Sequence, residues 1–176
     1  LVSLAFDALL TIGVFSLFKG ILPFSLDIGM DVIAAILTII GYSINDIITI
    51  ASIIERECSV DSERSKVASV IYNRLKKPMP LQMCSTVQYV LGKQKESLTT
   101  ADTKIDSPYN TYLIQGLPPG PICCPGEASI KAALYPETTN YLYFVLSDKL
   151  DGTTKFSSNY EQFLKDKAAY YNALEN

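Results

Sequence analysis

Residues 32–54, VIAAILTIIGYSINDIITIASII, form a run of 23 in which only Asn45 and Asp46 are strongly polar, and charge returns at once with Glu55, Arg56 and Glu57. A membrane-spanning helix needs roughly 20 apolar residues, so the run is long enough to be one. Residues 8–18, ALLTIGVFSLF, give a second apolar stretch, with Asp7 just before it. KGILPFSLDIGMD, between the two, carries Lys, Pro and Gly and reads as a loop. The pair reads as a membrane helical hairpin in which Asp7, Asn45 and Asp46 need partners. The alternative is a buried core helix preceded by a shorter helix. No basic segment precedes the apolar start, so the pattern of a usual signal peptide is not met.

Charge divides the chain at the same place. Residues 1–50 hold a single cation, Lys19, against four acids, whereas residues 51–176 are evenly mixed. A net charge of −3 and a pI near 5.0 exclude a broad basic face, and with it nucleic acid as a partner. There is no histidine, which removes His-based triads and His-ligated metals. The four cysteines, Cys58, Cys84, Cys123 and Cys124, have no metal-ligand spacing, so neither a metal nor a cofactor is expected.

After residue 55 the texture is that of an α+β domain. SVDSERSKVASVIYNRL opens with cap signals at Asp61 or Ser62, and Val67, Val70, Ile71 and Leu75 recur at helical spacing until KKPMP breaks the pattern. STVQYVLG reads as a short helix, with Ser85 as cap and Gly92 as stop. Residues 93–108 read as a loop, and LPPGPICCPG as a stiff segment poor in N–H donors. EASIKAAL reads as a helix and YLYFVLS as a strand; Asp151-Gly152 turns into a second strand. NYEQFLKDKAAYYNAL closes the chain as an amphipathic helix.

Two segments attract attention as chemistry. Glu55 follows Ile53-Ile54, and an apolar wall beside a carboxyl raises its pKa and keeps a proton available for general acid catalysis. Glu57 lies about 200° further round a helix, so the two acids cannot face one cleft. The plainer alternative is that both are solvated acids at a helix end. SPYNTYLIQGLPPGP offers aromatic faces, hydroxyls and an amide next to a stiff proline run, a mixture suited to sugars and equally to a packed loop.

In order along the chain, ASIIERE, SERSKVASVIYNRL, MPLQMCSTVQYVLG, IDSPYNTYLIQGLPPGPICCPGEASIKAALYP and YLYFVLS make residues 51–176 similar to the catalytic domain of the YceG/MltG family of endolytic murein transglycosylases. The resemblance implies a lytic transglycosylase, a carbon–oxygen lyase that cleaves the MurNAc–GlcNAc bond of peptidoglycan glycan strands and leaves 1,6-anhydro-MurNAc ends. Carried onto matching positions, it implies Glu55 as the acid/base, with Glu57 turned away. Gln82, Thr86, Tyr89, Asn110, Thr111 and Tyr112 become glycan-site residues. The chain departs from the family in lacking histidines near DGTTKFSSNYEQFL and the LysM-like subdomain that precedes the catalytic part. At Cys84 and Cys123, where relatives often carry cysteine, a bridge and two free thiols both stay open.

Residues 1–50, through GVFSLFKGILPFSL and IAAILTIIGYSIND, resemble transmembrane helices of SecD/SecF protein-export subunits. The expectation is thus a YceG-like α+β catalytic domain, 51–176, preceded by an apolar helical hairpin, 1–50. That hairpin would meet membrane lipid in a bacterial cell membrane, with cell-wall synthesis proteins as further partners. The two resemblances conflict on topology. The export helix ends toward the cytoplasm, in agreement with Arg56, Arg64 and Lys66, whereas a transglycosylase needs the extracytoplasmic side. The alternatives are a membrane fragment of an export subunit with a passenger domain, or an inactive peptidoglycan-binding module.

Overall fold

The computed structural model describes residues 30–175 except Glu96, with side chains from residue 41 onward except residue 42. The first apolar stretch and its loop, and with them the expected hairpin, lie outside the described residues. The chain divides into two compact units, Leu1–Asp46 and Ile47–Asn176.

Five α-helices and one two-stranded sheet make up the described chain. Helix α1 spans Met30–Glu57, α2 Arg64–Lys76, α3 Cys84–Leu91, α4 Glu127–Leu134 and α5 Tyr160–Glu175; strands β1 and β2 are Tyr143–Leu146 and Thr154–Ser157. Short 3₁₀ turns occupy Asp61–Glu63 and Asp102–Lys104. Among the described residues no helix is long and apolar enough to cross a membrane. The end of the long apolar run has another use. Ile50, Ala51, Ile53 and Ile54 of α1 pack with Val67, Ala68 and Ile71 of α2, with Leu81 and Met83, and with Ala132 and Ala133 of α4, to form the core of the second unit. Their burial stabilises a globular domain, with about 25 cal/mol per Å² of apolar surface removed from water. The membrane reading of residues 32–54 therefore fails for this portion.

The helical spacing read in α2 is met: Val67, Val70 and Ile71 are fully buried. The helix stops at Lys76, before Pro78. Ser85 is not the cap of α3 but lies in its first turn; Met83 is the capping residue. Gly92 ends α3 in the left-handed conformation, φ 66°, that glycine adopts at no steric cost.

Strands β1 and β2 pair antiparallel, Tyr143 opposite Ser157 and Phe144 opposite Phe156. The turn between them uses Leu150 and Gly152 at positive φ. The Thr154 N–H donates to a Glu63 carboxyl oxygen at 3.0 Å, which fastens the hairpin to the start of α2. Arg74, almost wholly buried, donates from Nε to the Leu142 carbonyl at 2.7 Å and from Nη1 to the Leu81 carbonyl at 2.6 Å. This one side chain binds the segment before α3 to the segment entering β1.

Candidate functional site

The last turns of α1 carry both acids, and each meets a different part of the molecule. Glu55 turns toward α4. Its Oε2 accepts the Ser129 hydroxyl at 2.7 Å and the Gly126 N–H at 3.0 Å, and the Arg64 guanidinium lies 3.2 Å away. Arg64 in turn donates to Ser129 Oγ and to Asp61 Oδ1, at 2.5 and 2.8 Å. The Ser129 hydroxyl, the Gly126 N–H and the Arg64 charge hold the Glu55 carboxyl below the ordinary carboxylate range, against a smaller opposing effect of burial. The desolvated, protonated Glu55 expected from its apolar neighbours is therefore not found. Distant donors outweigh the wall next to it in sequence.

Glu57 lines a cleft of about 640 Å³; Glu55 does not. For this cleft the expected placement, Glu55 inward and Glu57 away, is not met. The spacing offers a reason: Ile50, Ile53, Ile54 and residue 57 stand at i, i+3, i+4 and i+7, so Glu57 occupies the core-facing stripe of α1 one turn past its last isoleucines. Its Oε1 accepts the Ser85 N–H at 2.8 Å, in the first turn of α3. Desolvation pushes the Glu57 carboxyl up, opposed by the Ser85 hydrogen bonds, the Arg74 charge and the Cys84 N–H. An acid so placed keeps its proton to higher pH than a solvated one, yet has donors ready for the carboxylate.

Around Glu57 the cleft presents Arg74, Gln82, Cys84 and Tyr112. The Tyr112 hydroxyl and Cys84 Sγ are 3.2 Å apart. Burial and the neighbouring Cys84 and Glu57 push the Tyr112 hydroxyl far up, and burial with the Glu57 charge pushes the Cys84 thiol up, so both stay protonated. All four cysteines are free thiols, and Cys123 Sγ meets the Ser52 carbonyl at 3.3 Å. The bridge left open for Cys84 and Cys123 is not formed.

Of the six sugar-site candidates, Gln82 and Tyr112 face the cleft. Thr86, Asn110 and Thr111 are fully buried and cannot touch a glycan strand in this conformation. They form a bracket instead. Thr111 Oγ1 accepts the Met83 N–H at 2.9 Å and sits 2.9 Å from Thr86 Oγ1, while the Thr111 carbonyl accepts the Gln82 N–H at 2.9 Å. Asn110 donates to the Thr103 and Ile105 carbonyls and accepts the Tyr112 N–H at 3.0 Å. The bracket holds Gln82 at φ 51°, a left-handed conformation uncommon for a residue with a side chain. Tyr89 is exposed, lies outside the cleft lining and packs its ring against Tyr109, with centroids 4.9 Å apart.

The proline-rich segment is fastened to the back of α1. The Ile122 N–H donates to Ser52 Oγ at 3.0 Å, and the Gly126 N–H to Glu55, so two of its few donors reach the helix that carries Glu57. The other wall of the cleft comes from β1 and α5, with Tyr143, Tyr160, Phe163, Lys167, Tyr170 and Tyr171. Sequence reading left this wall unassigned, because an aromatic face on an amphipathic helix also signals ordinary packing. Among the described residues no cluster of acids and cysteines has the grouping of a metal site.

Three comparisons bear on this arrangement. The YceG-like family model matches residues 32–169. The endolytic murein transglycosylase of Bacillus subtilis is 47% identical over 128 residues, 73% of this chain and 35% of the relative. That of Streptococcus pneumoniae strain D39 is 35% identical over 139 residues, 76% of this chain and 25% of the relative. The crystal structure of a putative YceG-like protein from Listeria monocytogenes superposes with a TM-score of 0.67 at 47% identity, covering 73% of this chain and 42% of that one. The chain thus spans about a third of the length of its Bacillus relative. A stretch of 49 residues, 28% of this chain, is 55% identical to 16% of the protein translocase subunit SecF of Rhodothermus marinus.

Proposed function

Because this chain belongs to the YceG-like family, we propose that residues 47–176 act as an endolytic peptidoglycan transglycosylase with Glu57, in place of Glu55, as its acid/base. The observation that carries the assignment is that Glu57 lines the cleft with a carboxyl whose pKa is raised by desolvation, whereas Glu55 is ion-paired outside it. The names of the Bacillus and Streptococcus relatives support the substrate class.

In this reading protonated Glu57 gives its proton to the oxygen of the glycosidic bond as the bond to muramic C1 breaks. The carboxylate so formed takes the proton of the C6 hydroxyl as O6 closes on C1. One bond breaks, one forms, and the proton lost in the first half returns in the second. No water, metal or second carboxylate enters the balance. Desolvation favours the protonated starting state. The Ser85 N–H and the Arg74 charge stabilise the carboxylate midway. Gln82 and Tyr112, held by the buried Thr86–Asn110–Thr111 bracket, supply polar contacts to the sugar. The substrate lies outside the cytoplasmic membrane, so the activity requires this unit on the extracytoplasmic side.

The test is digestion of purified peptidoglycan by the full chain, with products separated by mass. Anhydro ends that vanish in Glu57→Gln and persist in Glu55→Gln are expected. Loss in Glu55→Gln with an intact fold, together with activity in Glu57→Gln, returns the role to Glu55. Glycan binding without cleavage identifies a binding module, and neither binding nor cleavage favours a passenger domain.

A further inference from the structure

The wall of the cleft opposite α3 is unusual for a packing face. Helix α5 has 16 residues and not one fully buried side chain among those described, yet it carries Tyr160, Phe163, Tyr170 and Tyr171 on the cleft. Tyr143 of β1 stacks on Phe163, with centroids 5.3 Å apart and planes 27° apart, and meets Tyr160 at 5.5 Å. The Arg74 guanidinium also lies over the Tyr143 ring, 5.3 Å from its centroid. Tyr160 remains 55% exposed and Tyr171 43% exposed. The Lys167 amine lies 6.0 Å from the Phe163 centroid and 5.9 Å from the Tyr171 centroid, so its charge sits between two rings. That charge is felt at Cys84, as is the charge of Glu57. Among the described residues no carboxylate is within ion-pair distance of Lys167, although the chain as a whole is acidic.

We propose that Tyr143, Tyr160, Phe163, Tyr170 and Tyr171 form a stacking platform for the sugar rings of an N-acetylated glycan strand, with Lys167 placed to meet a carboxylate borne by that strand. The inference rests on the glycan reading of the cleft and adds where the strand runs. Sugar rings offer flat C–H faces and polar edges. Open aromatic faces ringed by tyrosine hydroxyls match both at once. Charge favours the same occupant: among the described residues Arg56, Arg74, Lys95 and Lys167 line the cleft, with Glu57 as the one acid. The platform and Glu57 share a single cavity, so a strand lying on the rings passes the acid.

The platform binds sugars remote from the bond being broken, so its loss acts on KM rather than kcat. With the full chain and solubilised glycan strands, Tyr160→Ala and Tyr171→Ala are each expected to raise KM about tenfold. In both, kcat holds within about twofold. Tyr171→Phe keeps the stacking face and restores KM, a rescue that a loss of fold does not permit. Lys167→Gln reduces the rise of KM with salt, as expected when a charge contact is removed. An unchanged KM in both alanine variants overturns the platform while leaving the enzyme reading intact. Calorimetric binding of a hexamer of N-acetylglucosamine to Glu57→Gln, with and without Tyr171→Ala, separates the two claims further. Weaker hexamer binding in the double variant, when the parent chain gives no anhydro ends, removes the enzyme and keeps the platform. Equal binding removes the platform whatever the parent cleaves.

Discussion

Glu55 and Glu57 are separated by one residue on one helix, and their surroundings have opposite chemistry. The region behind Glu55 supplies a hydroxyl, an amide and a guanidinium, all to one carboxyl oxygen, and lowers the pKa of the group. The region in front of Glu57 removes water from its carboxyl, and that desolvation outweighs the donors around it, so the group is driven toward the neutral form. A helix turns about 100° per residue, so neighbouring acids can be allotted to different jobs without any change in the helix itself. Glu55 ties α1 to α4 and α2, while the Glu57 carboxyl faces the cavity.

The largest test of that contrast is activity. Glu57→Gln retains shape and loses the proton donor, and turnover is expected to fall by ~10²–10⁴, measured as anhydro-ended products per unit time. Glu55→Gln tests the other half. It weakens the contacts to Ser129, Gly126 and Arg64, and denaturant unfolding is expected to show a loss of about 1–3 kcal/mol. Turnover per folded molecule is expected to fall by less than ~10-fold.

The acids also oppose each other in pH dependence. Glu57 has a folded-state pKa raised above its reference value of 4.5, so the folded chain binds more protons than the unfolded one above that pH. Its contribution is full below pH 4.5 and is lost as pH rises through the folded value. Glu55 has a lowered pKa, so its contribution is full above 4.5 and is lost as pH falls through the folded value. Melting temperature followed against pH is expected to lose its alkaline decline in part in Glu57→Gln, and its acid decline in part in Glu55→Gln. The same sign of change in both variants breaks the contrast.

The smallest effect is at Gly126. A Cβ there meets Glu55 Oε2 at 3.4 Å, and the backbone, at φ −77°, accepts a side chain without strain. Gly126→Ala is expected to shift stability by no more than about 0.5 kcal/mol, read by thermal melting. A larger loss means that the Glu55 cluster has no room to adjust.

Much of the scaffold is legible in local pattern. The α2 stripe at Val67, Val70 and Ile71 and the turn at Gly152 depend on neighbours within a few residues, so spacing finds them. The α4 segment EASIKAAL is helical over the range read from sequence. The two acids are another matter. The groups that set their ionisation lie far along the chain: Ser129 is 74 residues from Glu55, and Ser85 is 28 from Glu57. The stripe 50–53–54–57 was a usable signal for Glu57, but it competed with the apolar pair directly before Glu55. In the loop, polarity alone does not separate Tyr112, which faces the cleft, from Asn110 and Thr111, whose polar atoms are consumed by backbone partners. The aromatic wall was visible as composition, and its opening onto a cavity depends on where β1 docks.

The order of synthesis adds a consequence of having that wall follow the acid along the chain. Glu57 and the α3 amide that binds it leave the ribosome before β1 and α5. Contacts of such long range form late in folding, because loop closure must come first. A nascent chain therefore carries its acid on an open face until α5 has been made, and the groove that would hold a polymer beside that acid comes into being with that helix. Truncation before α5 leaves Glu57 in place and removes the groove, so possession of the acid and possession of a working cleft are separable along the time axis of the chain's own assembly.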